Sequence, residues 1–132
     1  MKASLTAIAA MIVSAQSVLA GTVEYKCEIT KPDGHGWIAP EYNFQVDTDT
    51  REAKVVSGHH DWTSAQLKVK KSGEYRMFWN VTLRSSEGQN LRMKYQANHN
   101  LAKNTVKVRA SFAHTSAANK PYGSGVCSVF TG

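Results

Sequence analysis

From residue 21 onward the chain alternates between apolar and polar residues with a period of two, and nothing else constrains its fold as strongly. Val23, Tyr25, Cys27 and Ile29 alternate with Glu24, Lys26 and Glu28. Tyr42, Phe44 and Val46 alternate with Asn43, Gln45 and Asp47, and Leu67 and Val69 with Lys68 and Lys70. The strongest stripe is Tyr75, Met77, Trp79, Val81 and Leu83, followed by Leu91, Met93, Tyr95 and Ala97, then Val106, Val108, Ala110 and Phe112. The last run carries Cys127 and Val129 on one face and Val126, Ser128 and Phe130 on the other, and a weaker strand is predicted over Ala53–Val56. Successive side chains of a strand point to opposite faces, so each run describes a strand with one dry face and one wet face.

Turn signals separate the runs: Lys31-Pro-Asp-Gly34, Asp47–Thr50, Lys71-Ser-Gly73, Ser85-Ser-Glu-Gly88, Asn98–Asn104 and Pro121-Tyr-Gly123. Short connections make sequential strands antiparallel neighbours, and one-sided burial suits antiparallel sheets. The expected fold class is all-β, with about eight antiparallel strands in a small closed or nearly closed barrel. A β-sandwich satisfies the same alternation and remains the alternative. Closure has the advantage of removing exposed sheet edges. No sustained helical period, internal repeat, linker or low-complexity stretch follows residue 20.

The first twenty residues read differently. Lys2 supplies a short positive region, Leu5–Val13 is uncharged with Thr6 its one polar residue, and Val18 and Ala20 fit the −3 and −1 positions of a cleavage site. These are the three parts of a secretory signal, so residues 1–20 are expected to be a signal peptide and residues 21–132 a single β domain. The apolar run is short of the about 20 residues that cross a bilayer. Gly21 and Thr22, rather than Cys, follow the cleavage point, which argues against a lipid anchor. No later segment is apolar enough to span a membrane. The expected location is therefore exported, periplasmic or secreted.

Export bears on the cysteines. Cys27 and Cys127 are the two in the chain, and an oxidising compartment favours bridging them. A bridge closing a loop of ~100 residues is worth about 4–5 kcal/mol in the chain-entropy model. It would tie the first strand to the last, as a closed meander requires.

Charge is uneven along the chain. The whole sequence carries +6. Residues 21–66 hold four basic residues against eight acids, and residues 67–132 hold eleven against two, so the halves carry −4 and +9. Lys68, Lys70, Arg76, Arg92, Lys94, Lys107 and Arg109 all fall on the polar phase of their strands, with Phe78 in the same phase. If those strands are neighbours, the cations converge on one outer face that attracts anions; an ordinary solvated face is the plainer reading. Two loops carry tryptophan. Asp33–Pro40 sets Trp37 and Ile38 among two glycines and a proline, as an aromatic lip or as a plug over one barrel end. Trp62 is assigned to a loop, Ser57–Ser64, beside His59, His60 and Asp61. Those three are the densest group of metal-ligand types, but adjacent side chains need distant partners such as His35, His99 or His114 to close a site, so no metal is assigned.

No nucleophile elbow, zincin helix, phosphate loop or dinucleotide fingerprint occurs, so no catalytic residue is assigned, no cofactor is expected, and the domain reads as non-enzymatic. No nucleic-acid-binding motif accompanies the basic half, and nucleic acid is not expected as a partner.

A signal, Tyr25-x-Cys27 at the mature start, about eight strands and Gly125-Val-Cys127 near the end resemble small uncharacterised exported β-barrel proteins of Gram-negative bacteria. Ser72-Gly73-Glu74-Tyr75 is also similar to the Ser-Gly-x-x-Tyr loop of the periplasmic lysozyme inhibitors, one residue shorter. That likeness implies a loop inserted into a hydrolase cleft, with Ser72 and Tyr75 in contact; Tyr75 also lies on the apolar phase of its strand. The sequence does not determine the function. The expectation it favours is a binding protein that holds an anionic glycan or lipopolysaccharide on its basic face or by Trp37 and Trp62. An inhibitor of a cell-wall hydrolase and a small-ligand barrel are the alternatives.

Overall fold

The computed structural model describes residues 21–34, 36–113 and 121–130. The expected signal segment lies outside the described residues, as do His35 and His114. The strands are β1 (Thr22–Lys31), β2 (Glu41–Asp47), β3 (Glu52–Ser57), β4 (His60–Val69), β5 (Tyr75–Arg84), β6 (Asn90–Asn100), β7 (Thr105–Phe112) and β8 (Tyr122–Val129). Each pairs antiparallel with the next, and β8 returns to pair with β1, so the fold is a closed eight-stranded meander. Closure decides the barrel against the sandwich.

The closing pair is tightly tied. Cys27 and Cys127 stand opposite each other in the β1–β8 register and form a disulfide. Gly125 lies two residues away, and a Cβ there would fall on the carbonyl of Glu28. Only glycine permits this approach of β8 to β1, next to the register shift between Ile29 and Lys31. Beyond the bridge β1 stays in the core with Tyr25, while the end of β8 lies open to solvent. Val129, expected on the buried face with Cys127, is 58% exposed at the end of β8.

The interior is filled by side chains. Tyr42 stacks on Phe44 and Trp79 on Tyr95, at centroid separations of 5.9 and 5.4 Å, and Trp79 meets Tyr42 and Phe44 edge-on. Met77 and Met93 are fully buried around them. Burial pushes the Tyr42 and Tyr95 hydroxyls well above the usual phenol range. The outside of the wall is charged and the inside apolar, the reverse of a lipid-facing barrel. No helix among the described residues is long and apolar enough to cross a membrane.

The Trp37–Pro40 end of the expected loop closes one end of the barrel as a plug. Ile38 is 3% exposed and Ala39 is fully buried. The Tyr42 hydroxyl accepts from Ala39 N at 2.9 Å, the Tyr95 hydroxyl donates to Trp37 O at 2.7 Å, and Ile29 N donates to Pro40 O at 2.8 Å. Two barrel tyrosines thus supply the polar partners that a buried loop backbone needs. Tyr42→Phe would strand the Ala39 N–H in the core. We expect a loss of about 1–3 kcal/mol, seen as a lower urea midpoint at unchanged slope. An unchanged midpoint would mean that Ala39 finds another acceptor.

Local differences from the sequence reading have physical causes. The weak third strand is longer, Glu52–Ser57, because both neighbours supply ladder partners. Lys70 sits one residue past the end of β4, where its N–H bonds to Glu74 O across the turn. The expected Ser57–Ser64 loop does not exist: Gly58 and His59 alone make the turn, and Trp62 belongs to β4. The polar run His59-His60-Asp61 resembled a loop because β4 is bulged there. Val55 faces Thr63 but Ser57 faces His60, so β4 carries one extra residue. The bulge turns His60 inward, where it accepts a hydrogen bond from Trp79 Nε1 at 3.2 Å.

Candidate functional site: a basic outer wall

The pleat and the meander together build the most distinctive surface. Polar-phase residues of β4, β5, β6, β7 and β8 line up across the wall in rows. One row reads Lys68, Arg76, Asn98, Lys107 and Ser124. The next reads Gln66, Phe78, Gln96, Arg109 and Tyr122. A third holds Asn80, Lys94 and Ser111, and a fourth Thr82 and Arg92. No carboxylate occupies these rows. The one ion pair among the described residues, Lys26 with Glu41 at 3.8 Å, is on the far side. The cations therefore keep their charge free for an incoming anion.

Neighbours orient these side chains. Arg76 Nε donates to Asn98 Oδ1 at 3.1 Å, and Gln96 Nε2 donates to the same oxygen at 3.2 Å. Lys68 Nζ lies 5.5 Å from the Phe78 ring centre, and the Arg109 guanidinium 5.9 Å from that of Tyr122. Phe78 is half-buried at the centre of the wall between two shallow grooves. The larger, of about 560 Å³, reaches Gln66, Asn80, Arg92 and Lys94; the smaller, of about 260 Å³, reaches Lys94, Gln96 and Arg109. A flat ring flanked by amides and cations is suited to anionic sugar, with apolar ring faces on the aromatic group and acidic substituents on the bases.

The opposite wall carries the other sign. Outward positions of β1, β2 and β3 include Glu24, Glu28, Glu41, Asp47 and Glu52 against Lys26 and Lys54. Glu24 is held by Asn43 at 2.9 Å and Gln45 at 3.1 Å. The barrel is thus an electrical dipole across its diameter.

The other sequence candidates are dispersed. Trp37 is half-buried in the plug, edge-on to Phe112 at 5.4 Å. Trp62 stands on the outside of β4, 42% exposed. The possible metal ligands diverge: His59 Nε2 meets Gly36 O at 2.8 Å, His60 turns inward to Trp79, and Asp61 Oδ1 accepts from Trp62 N. No group of three metal-ligand side chains occurs among the described residues. Ser72 lies exposed on the β4–β5 turn, whereas Tyr75 packs against Tyr25 and His99.

Sequence reading placed the cations and Phe78 on this wall but missed its amides and Tyr122. Their polar-phase positions were visible, but nothing local sets them apart from solvent-facing residues. His99 entered the sequence reading only as a possible distant metal ligand, although it lies on the apolar phase of β6. His99 is completely buried, its ring 4.7 Å from that of Tyr25, and neither ring nitrogen has a partner among the described residues.

Fold and wall together define a class: a small disulfide-tied antiparallel β-barrel with a packed interior and a basic outer face. No protein-family model, no curated protein and no solved structure matches the chain.

Proposed function

We propose that this chain is an exported, non-enzymatic binding protein that holds an anionic glycan, such as the sugar–phosphate region of lipopolysaccharide, on the β4–β7 wall. The observation that carries the reading is the assembly of six cations around Phe78 with no carboxylate among them. Lys70 joins them from the adjoining turn. Such a field raises the local concentration of anions and speeds their capture. The disulfide supports residence in an oxidising compartment. The filled interior favours the outer surface over the barrel lumen as the place of binding.

Retention on heparin and on immobilised lipopolysaccharide tests this. The mature protein should be retained at about 0.15 M salt, where the Debye length is about 8 Å, and released as salt rises. Lys68→Glu with Arg92→Glu and Lys107→Glu should abolish retention, while Glu24→Lys with Glu52→Lys on the far wall should not weaken it. Unchanged retention in the triple variant would overturn the proposal.

A further inference from the structure

The barrel wall has a split that its strand pattern conceals. Strands β4 and β5 are each ten residues long and are joined by a tight turn. A full ladder would pair them end to end. Pairing instead runs from Val69↔Tyr75 to Gln66↔Phe78 and stops. Beyond that point Ala65, Ser64 and Thr63 stay paired with β3, while Trp79 through Arg84 stay paired with β6. Two strand edges therefore face each other unpaired along about six residues, ~20 Å at strand rise. The larger groove lies at the lower end of this seam, between Ser64, Ala65 and Gln66 on one side and Phe78, Trp79 and Asn80 on the other. A second groove, of about 310 Å³, opens at its upper end between the Gly58-His59 turn and Leu83-Arg84. Inside the seam the bond from Trp79 Nε1 to His60 Nε2 is the side-chain link across the gap.

Unpaired edge amides and carbonyls are a template for another strand. We propose that the seam accepts an extended acidic peptide segment as an added β-strand along β5. This is recognition by main-chain pairing, at the β4–β5 edge of the same basic wall but by a chemistry distinct from glycan binding. The acidic character follows from the outer face of β5. Arg92 stands opposite Thr82 and Lys94 opposite Asn80, one strand further in, and Arg84 lies at the upper end. Asp61 is the one carboxylate on the strand residues that flank the seam. Trp62, exposed on the outer phase of β4, is placed to cover an incoming side chain.

The test uses the mature protein and a fluorescent, acetylated peptide of seven residues alternating glutamate and valine. Its partner probe is the same peptide N-methylated at alternate residues, which keeps the charge and removes edge donors. The unmodified peptide should bind saturably and slow hydrogen exchange at Trp79–Arg84, and N-methylation should weaken binding more than about tenfold, as loss of two or three net hydrogen bonds demands. Absence of binding, equal binding of the methylated probe, or protection confined to β7 would overturn the proposal. Heparin retention without peptide binding would remove the seam and leave the glycan reading standing. Peptide binding without heparin retention would do the reverse.

Discussion

Replacing Cys27 and Cys127 together by alanine is expected to remove about 4–5 kcal/mol of stability, the largest effect of any change considered. The bridge closes a loop with a sequence separation of 100. In the chain-entropy model that restricts the unfolded chain far more than the folded one, in which β1 and β8 already pair. Domains of this size are stable by about 5–15 kcal/mol in total, so the loss takes about a quarter or more of what holds the barrel. Alanine is the suitable replacement because both positions are buried, and a hydroxyl there would need a partner. Urea unfolding of the double variant, compared with the oxidised protein, measures the effect. The slope should rise as well as the midpoint fall, because the unbridged chain exposes more surface when unfolded. A loss below about 2 kcal/mol would show that the unfolded state gains little freedom from release of the bridge.

Acid is the second lever, and it acts through His99. Burial alone pushes its pKa down to about 4 from an ordinary 6.5. The folded protein therefore holds this imidazole neutral at pH values where the unfolded chain has protonated it. The unfolded state binds more protons, so stability rises with pH across the window. The contribution is complete above about 6.5, falls as pH drops, and is exhausted near 4. At 1.36 kcal/mol per unit the total is about 3 kcal/mol. Denaturation midpoints measured at pH 7, 5.5 and 4 should trace this fall. His99→Leu should flatten it, since leucine fills the site between Tyr25 and Tyr75 without a titrating group. It should also raise stability at pH 7, because an imidazole without partners is costly to bury. A His99→Leu protein with the parent's pH dependence would place the acid sensitivity elsewhere.

The meander explains why charge was informative. In a barrel whose strands follow one another around the circumference, separation along the chain becomes separation around the wall. The acidic first half and basic second half of the sequence therefore become opposite sides of the barrel. The rows of cations follow from two local facts, the polar phase of each strand and the tightness of the turns. Lys68 beside Arg76, and Lys107 beside Asn98, required nothing more. Trp62 shows the limit of the same method. Its strand contains a bulge, and one extra residue breaks the alternation that marks a strand, so a paired segment looked like a loop.

The seam was not legible at all. β5 alternates without fault and β4 does so from Thr63 onward, and the turn between them permits pairing well beyond the four residue pairs that form. The gap arises where β4 stays paired to β3 while β5 stays paired to β6, a conflict between two ladders that no single strand records. His60 joins Trp79 across it only because the bulge turns the imidazole inward.

The sequence by itself determined the number and order of strands, which face of each is dry, the pairing of Cys27 with Cys127, and the side on which positive charge collects. These depend on the pleat, on turn length and on there being two cysteines, all of which are local or combinatorial. Tertiary structure alone decided that the sheet closes, that His99 is buried without partners, and that the wall parts between β4 and β5. Each of these depends on how eight strands share one circumference, and a strand's own residues carry no information about its distant neighbours.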